Sequence, residues 1–199
     1  DVMQMALRGP MARDLREILA GLRIPADIER IGDYAANVAK RSIALNVSPP
    51  MPHTSSLRAL GVLAARQVRD VLVAYRDGDA DRALMVRARD GELDAQYTAL
   101  FRELLTYMME DARTITPSTH LLFMAKNLER IGDLAKNTAK RAHAISEALP
   151  RKLMTGVTRM GRLAQSELKD ILDAYARSDA EKALEVWRSD EELDSLYNS

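Results

Sequence analysis

Apolar residues recur at intervals of three to four along most of the chain, the spacing of one face of an α-helix. Between residues 57 and 76 they form one stripe, consisting of Leu60, Leu63, Ala64, Val68, Val71, Leu72 and Tyr75. Valine and isoleucine do not alternate with polar residues over any useful stretch, so no strand is predicted. Because good helix formers such as Ala, Leu, Arg, Met and Glu fill the chain, the pattern predicts an all-α protein.

Two further helices follow the first. One is predicted from about Ala80 to Asp111, after Gly78 and with Asp79 as its N-cap. Its expected core residues are Leu84, Leu93, Tyr97, Leu100, Leu104 and Met108. The other begins after residues 116–118, with a proline near its first turn, and ends at about Ser146. Its apolar stripe comprises Leu121, Met124, Leu128, Ile131, Ala135 and Thr138.

The chain repeats itself at an offset of 100 residues. Residues 29–41 (ERIGDYAANVAKR) and 129–141 (ERIGDLAKNTAKR) are identical at ten of 13 positions. Residues 70–97 and 170–197 match at 14 of 28 positions in the same register. Since two independent segments share one offset, we interpret the chain as a duplication.

The repeat divides the chain into one complete and two partial units. We predict a complete three-helix repeat at 57–147, the latter part of a second repeat at 1–46, and the first part of a repeat at 153–199, equivalent to 53–99. Residues 46–56 are the clearest linker. A longer parent chain, a circular permutation and completion by a neighbouring chain would each explain this phasing.

Composition removes several classes of function. The 29 basic and 29 acidic residues cancel, so no nucleic-acid partner is predicted. The chain has no cysteine, which removes disulfides and thiolate chemistry and suits a reducing compartment. No apolar run approaches the roughly 20 residues that span a bilayer, and charges throughout the first residues do not resemble a signal peptide. We expect a soluble protein.

Pairs of acidic residues stand one helical turn apart at equivalent places in the repeats. The pairs are Glu29/Asp33, Asp90/Asp94, Glu129/Asp133 and Asp190/Asp194. Like charges at this spacing cost a helix roughly 0.2–0.5 kcal/mol per pair, and hard cations bind clusters of carboxylate oxygens. If the second and third helices pack antiparallel, pairs from two helices face each other. A cation held between these helices is one interpretation of this spacing.

Two other interpretations stay open. Arg30 lies three positions before Asp33, and Lys126 three before Glu129, so the acids could be ion pairs on a metal-free helical scaffold. A carboxylate-bridged metalloenzyme is the third hypothesis. None of the three histidines has ligand spacing, which argues against a ferritin-like oxidase with its Glu-x-x-His pairs, and no phosphate-binding loop, dinucleotide or nucleophile-elbow motif occurs.

These segments resemble the PhoU family. The family's signature is similar to DIERIGDYAANVAKR at 27–41 and NLERIGDLAKNTAKR at 127–141. GPMARDLREIL at 9–19 resembles the P-x-A-x-D-L-R stretch that precedes it, and RDGELDAQY at 89–97 and SDEELDSLY at 189–197 resemble the acidic motif of the adjoining helix. The resemblance covers nearly the whole chain.

The resemblance implies two three-helix bundles related by pseudo-twofold symmetry, each binding metal ions through its E/D-x-x-x-D motifs. Asp90 and Asp94 would meet Glu129 and Asp133. Asp190 and Asp194 would meet Glu29 and Asp33, provided the partial units come together. Iron and zinc are the expected metals, with magnesium and manganese as further candidates.

The resemblance also implies a non-enzymatic cytoplasmic adaptor and negative regulator of phosphate uptake and of the phosphate-starvation response. The expected partners are the ATPase subunit of the phosphate ABC transporter and a PhoR-type sensor histidine kinase. They would hold the protein at the membrane without insertion. A homodimer is expected.

Overall fold

The computed structural model describes residues 11–47, 55–144 and 151–198; for 11–21, 90, 144, 151–154 and 190 it describes the backbone alone. Regular structure within these ranges is helical. The α-helices are α1 (Met11–Asn46), α2 (Ser55–Asp77), α3 (Ala80–Ala88), α4 (Asp90–Glu110), α5 (Ile115–Ala144), α6 (Arg151–Arg177) and α7 (Ala180–Tyr197). A short 3₁₀ turn, Ala112–Thr114, precedes α5. The all-α prediction is confirmed.

The helices form two similar bundles that share one interface. In the first bundle α5 packs against α2, α3 and α4; in the second, α1 packs against α6 and α7. The bundles meet where α1 lies against α5 and α2 against α6. The two partial repeats of the sequence therefore come together within one chain, and the predicted architecture of repeated three-helix bundles is confirmed.

Reciprocal glycine–leucine contacts mark the pseudo-twofold relation between α2 and α6. A Cβ built on Gly61 would lie 2.2 Å from Leu172 Cδ2, and one built on Gly161 would lie 2.5 Å from Leu72 Cδ2. Each leucine fills the space that the absent side chain of the opposing helix leaves. An alanine at either position would therefore force the opposing leucine to shift within a close-packed interface.

The apolar stripes predicted for the third helix and most of those for the first two face the core. Every stripe residue of α5 is buried, and Leu60, Val68 and Val71 of α2 are at most 1% exposed. Leu84 contradicts the prediction, since 41% of it is exposed. On α3 the buried positions are instead Ala83 and Val86, because this short helix turns a different face to the bundle.

The single long helix predicted from about Ala80 to Asp111 is wrong, because it divides at Arg89. The Arg89 carbonyl accepts a hydrogen bond from Gln67 Nε2 at 3.4 Å, and a glycine, Gly91, follows two positions later. The second repeat has Glu167 and Glu191 at the equivalent positions, and α7 continues without a break. A glutamate carboxylate cannot donate the hydrogen bond that the glutamine makes.

Candidate metal centre

Three carboxylates meet where α1 lies against α7. Glu29 and Asp33 stand one turn apart on α1, so their side chains share a face. Asp194 reaches them from α7, and one carboxylate oxygen of each of the three residues lies within 4.8 Å of the other two. Among the described residues, this is the one group in which three or more histidine, cysteine or acidic side chains lie close enough together to share an ion. Glu29 and Asp33 are half-buried, whereas Asp194 is exposed.

The cluster accumulates negative charge in a partly desolvated place. Burial raises the pKa of the Glu29 carboxyl above its usual range, and the charges of Asp33 and Asp194 raise it further, against a lowering by Arg30. The pKa of Asp33 is raised by burial first and by Asp194 second, again against Arg30. The site therefore disfavours its own ionised form, and a cation between the carboxylates would reverse that preference.

The donor set fits a metal ion. Two oxygens bound at about 2.2 Å to one ion lie at most about 4.4 Å apart, so small side-chain movements would close this cluster around an ion. Carboxylate oxygens alone suit iron, manganese and magnesium, and zinc accepts them too. Asp190 is the fourth predicted ligand; its side chain lies outside the described residues.

The equivalent site between α4 and α5 is built differently. Lys126 Nζ lies 2.6 Å from Glu129 Oε2 and 5.2 Å from the centre of the Tyr97 ring. The ion pair between Lys126 and Glu129, which their spacing in the sequence suggested, is therefore present. Asp94 and Asp133 do not form a close three-carboxylate group with Glu129 within the described residues, and the Asp90 side chain lies outside them.

A single substitution between the repeats distinguishes the two sites. The residue equivalent to Lys126 is Ala26. The α4–α5 site therefore has an ammonium group of its own beside the glutamate, whereas the α1–α7 site has none at that position. The sequence comparison at an offset of 100 contains this difference, but only the contact distance shows that the lysine reaches the glutamate.

A buried ion pair that was not predicted from the sequence links the two bundles. Asp27 of α1 is 7% exposed, and it pairs with Arg141 of α5. Thr138 Oγ1 also donates to Asp27 Oδ2 at 3.4 Å. Burial lowers the pKa of Arg141, with a further lowering from Arg23. The sequence hint to this pair is a difference between the repeats, since the position of Asp27 is occupied by Asn127 in the second copy.

The fold and the repeated acidic motifs together define a class of duplicated, all-helical bundle proteins. Comparison with known proteins agrees. The family model described as "PhoU domain" matches residues 1–42, 57–142 and 157–199. The chain belongs to the PhoU domain family.

Similar proteins carry the same family name. A "Phosphate-specific transport system accessory protein PhoU homolog" of Xylella fastidiosa (strain 9a5c) is 75% identical over 140 residues, which are 70% of this chain and 59% of that protein. A homolog of the same name from Rhizobium meliloti (strain 1021) is 54% identical over 140 residues, again 70% and 59% of the two chains. The matched part of this chain thus spans about three fifths of the length of these relatives.

A solved structure supports the fold. The structure titled "Crystal structure of PhoU from Pseudomonas aeruginosa" superposes with a TM-score of 0.63 at 39% sequence identity, covering 71% of this chain and 68% of that one. Within the described residues, no helix combines the length and the apolar character needed to cross a membrane.

Proposed function

We propose that this chain is a regulatory accessory of phosphate uptake that works by binding partners and not by catalysis. Its membership of the PhoU domain family and the names of its relatives support this role. The proposed partners are the ATPase subunit of a phosphate ABC transporter and a PhoR-type sensor kinase. By coupling them, the protein would lower uptake and the starvation response from the cytoplasmic side of the membrane.

The second part of the proposal is a cation held by Glu29, Asp33 and Asp194. The observation that carries it is their convergence from two helices to within 4.8 Å. A bound ion would neutralise this acidic face and fix α7 against α1. Iron and zinc are the first candidates, followed by manganese and magnesium. We propose a structural or sensory role for this ion, whose three proposed ligands are all carboxylates.

We place the metal preferentially at the α1–α7 site. At the α4–α5 site the Lys126 ammonium, 2.6 Å from Glu129, already supplies positive charge. This contact favours the metal-free scaffold interpretation for that half of the molecule. The two bundles would therefore differ in metal content although both derive from the same repeat.

Element analysis of the purified chain tests the metal assignment. We expect D194N to lose most of the bound metal, because it removes one charged ligand of three and keeps the side-chain shape. D94N, at the second site, should change metal content much less. D173N, on α6 and outside both clusters, is the matched control. Equal metal content in the parent and in D194N would refute the assignment.

Phosphate uptake in a bacterial strain lacking its own family member tests the regulatory role. Expression of this chain should lower uptake and the output of starvation-response genes, and co-purification should recover the transporter ATPase subunit. If uptake and co-purification both match an empty-vector control, the accessory role is wrong. A homodimer is expected from the family resemblance, and light scattering would measure it.

A further inference from the structure

Four arginines of the first bundle surround one carboxylate, Asp70, none of them part of the acidic cluster. Arg82 Nη2 lies 3.4 Å from Asp70 Oδ1 and Arg89 Nη1 lies 3.2 Å from Asp70 Oδ2. The contacts of Arg66 and Arg69 with Asp70 are longer, at 3.9 and 3.8 Å from Nε to the carboxylate, beyond hydrogen-bond range. These two arginines therefore interact with Asp70 more weakly than Arg82 and Arg89 do.

The equivalent carboxylate of the second repeat has fewer cations beside it. The equivalent of Asp70 is Asp170. Among the described residues, the cation within ion-pair distance of Asp170 is Lys182, whose Nζ lies 3.6 Å away. Two of the four arginine positions carry serine there, Ser166 and Ser189. Asp170 is also the more exposed carboxylate, with a side chain 35% exposed against 13% for Asp70. Because Arg82 and Arg89 already pair closely with Asp70, neutralising this single charge does not require Arg66 and Arg69 as well. The surplus charge indicates a ligand.

The arginines line an open groove of about 610 Å³ between α2 and α3, which we name the arginine groove. Besides Asp70, its acidic residues are Asp79 and Asp81. The Asp79 carboxylate is engaged as the N-cap of α3, where it accepts from the Arg82 backbone N–H at 2.9 Å. Four guanidinium groups against three carboxylates leave the groove positive, on a chain whose net charge is zero.

The arginine side chains are placed to receive an anion from solvent. Those of Arg66 and Arg69 are 54% and 56% exposed, and those of Arg82 and Arg89 are 41% and 36% exposed. Each guanidinium presents five N–H donors in a planar fork that matches the oxygens of a phosphate group. Charge-assisted hydrogen bonds of this kind are about twice as strong as neutral ones.

We propose that the arginine groove binds a phosphate-type oxyanion, with Arg66 and Arg69 as principal donors and Arg82 and Arg89 completing the site. The oxyanion would be either a free phosphate species or the headgroup of an anionic phospholipid, because both present the same oxygens. The site is separate from the carboxylate cluster and needs no metal.

Calorimetric titration of the full chain with inorganic phosphate and with pyrophosphate, in phosphate-free buffer of low ionic strength, tests the proposal. The variant R66S/R89S gives this groove the serines of the second repeat. The control R102S/R188S removes two exposed arginines elsewhere and changes net charge equally. We expect saturable binding that weakens at least tenfold in R66S/R89S and less than twofold in the control.

Two further measurements complete the test. Thermal melting checks that R66S/R89S folds. If it does not, R66S alone is the variant to test: it should fold, because Arg66 contacts Asp70 only distantly. It should still weaken binding severalfold, because Arg66 is a principal donor. Cosedimentation with phosphatidylglycerol and phosphatidylcholine vesicles separates the two sources. Groove-dependent binding to phosphatidylglycerol alone assigns the headgroup, and groove-dependent binding of free phosphate or pyrophosphate assigns the soluble ion.

Three outcomes would overturn the proposal. The first is that the parent chain binds neither phosphate, pyrophosphate nor anionic vesicles. The second is that both double variants lose binding equally, because net charge and not the groove would then be responsible. The third is groove-dependent binding of a carboxylate-rich peptide without binding of any phosphate species, which would make the groove a docking site for an acidic protein segment.

Discussion

Replacing Asp194 by asparagine should have opposite effects on stability with and without metal. The change removes one negative charge from the cluster and keeps the size of the side chain. Without metal, Asp194 repels Glu29 and Asp33, and both pKa values record that repulsion. With metal bound, the same carboxylate is a ligand. A single substitution therefore distinguishes a cluster that needs a bound cation from one whose charges are sufficiently screened by solvent.

The expected magnitudes follow from the geometry. Each like-charge pair at such spacing costs about 0.2–0.5 kcal/mol, and Asp194 opposes two carboxylates, so metal-free D194N should gain about 0.4–1 kcal/mol of unfolding free energy. A metal at 100 times its Kd stabilises the parent by about 2.7 kcal/mol. If loss of one ligand weakens affinity a hundredfold, about 0.4 kcal/mol of this remains. Metal-loaded D194N should then be less stable than the parent by about 1–2 kcal/mol.

Urea unfolding at pH 7 measures this reversal, with and without chelator and with each candidate metal added in turn. D173N serves as the control and should shift equally in both conditions. The reasoning is refuted if D194N and the parent respond identically to chelation. It is also refuted if metal-free D194N is the less stable protein, because the three carboxylates would then not repel one another.

Three further predictions concern the fold and its charge. G61A should be less stable than G156A by about 1–3 kcal/mol in urea unfolding, because both gain the same helix propensity but only a Cβ at position 61 would overlap a leucine, Leu172; equal stability would show that Leu172 moves aside at little cost. R141M should cost about 3 kcal/mol by leaving Asp27 charged and buried, and D27N/R141M should recover much of it, whereas additive losses would disprove the coupling. Because burial and mutual repulsion raise the pKa of both α1 carboxyls of the cluster, the unfolded chain releases these protons first. Metal-free stability should therefore fall as pH rises from about 4 through the raised pKa values, with a shallower fall in D194N; a rise over that window would contradict the assignment.

The candidate ligands were recognisable in the sequence because ligand spacing on one helix is a local property. Glu29 and Asp33 share a face in any α-helix, so the i,i+4 spacing is enough to pair them. The same rule paired Glu129 and Asp133 equally well. Helix periodicity does not reveal that Lys126 reaches Glu129 while Ala26 leaves the other site open, since that depends on side-chain placement.

Secondary structure was predictable for a similar reason, with one exception. The stripes of α2 and α5 followed from periodicity because a helix must bury its apolar face. The break at Arg89 did not, because the contacts there include a hydrogen bond from Gln67, which lies 22 residues earlier in the chain and is not visible in the local pattern.

From the sequence alone, the helical class, the duplication and the acidic pairs on each helix were determined, since these depend on residue spacing within one element. Tertiary structure decided which helices meet. Their packing places Asp194 beside Glu29 and Asp33, and it brings four arginines close to Asp70. Such convergence depends on how close two helices can pack. That distance is decided by side chains far apart in sequence, such as Gly61 against Leu172, and no local pattern encodes it.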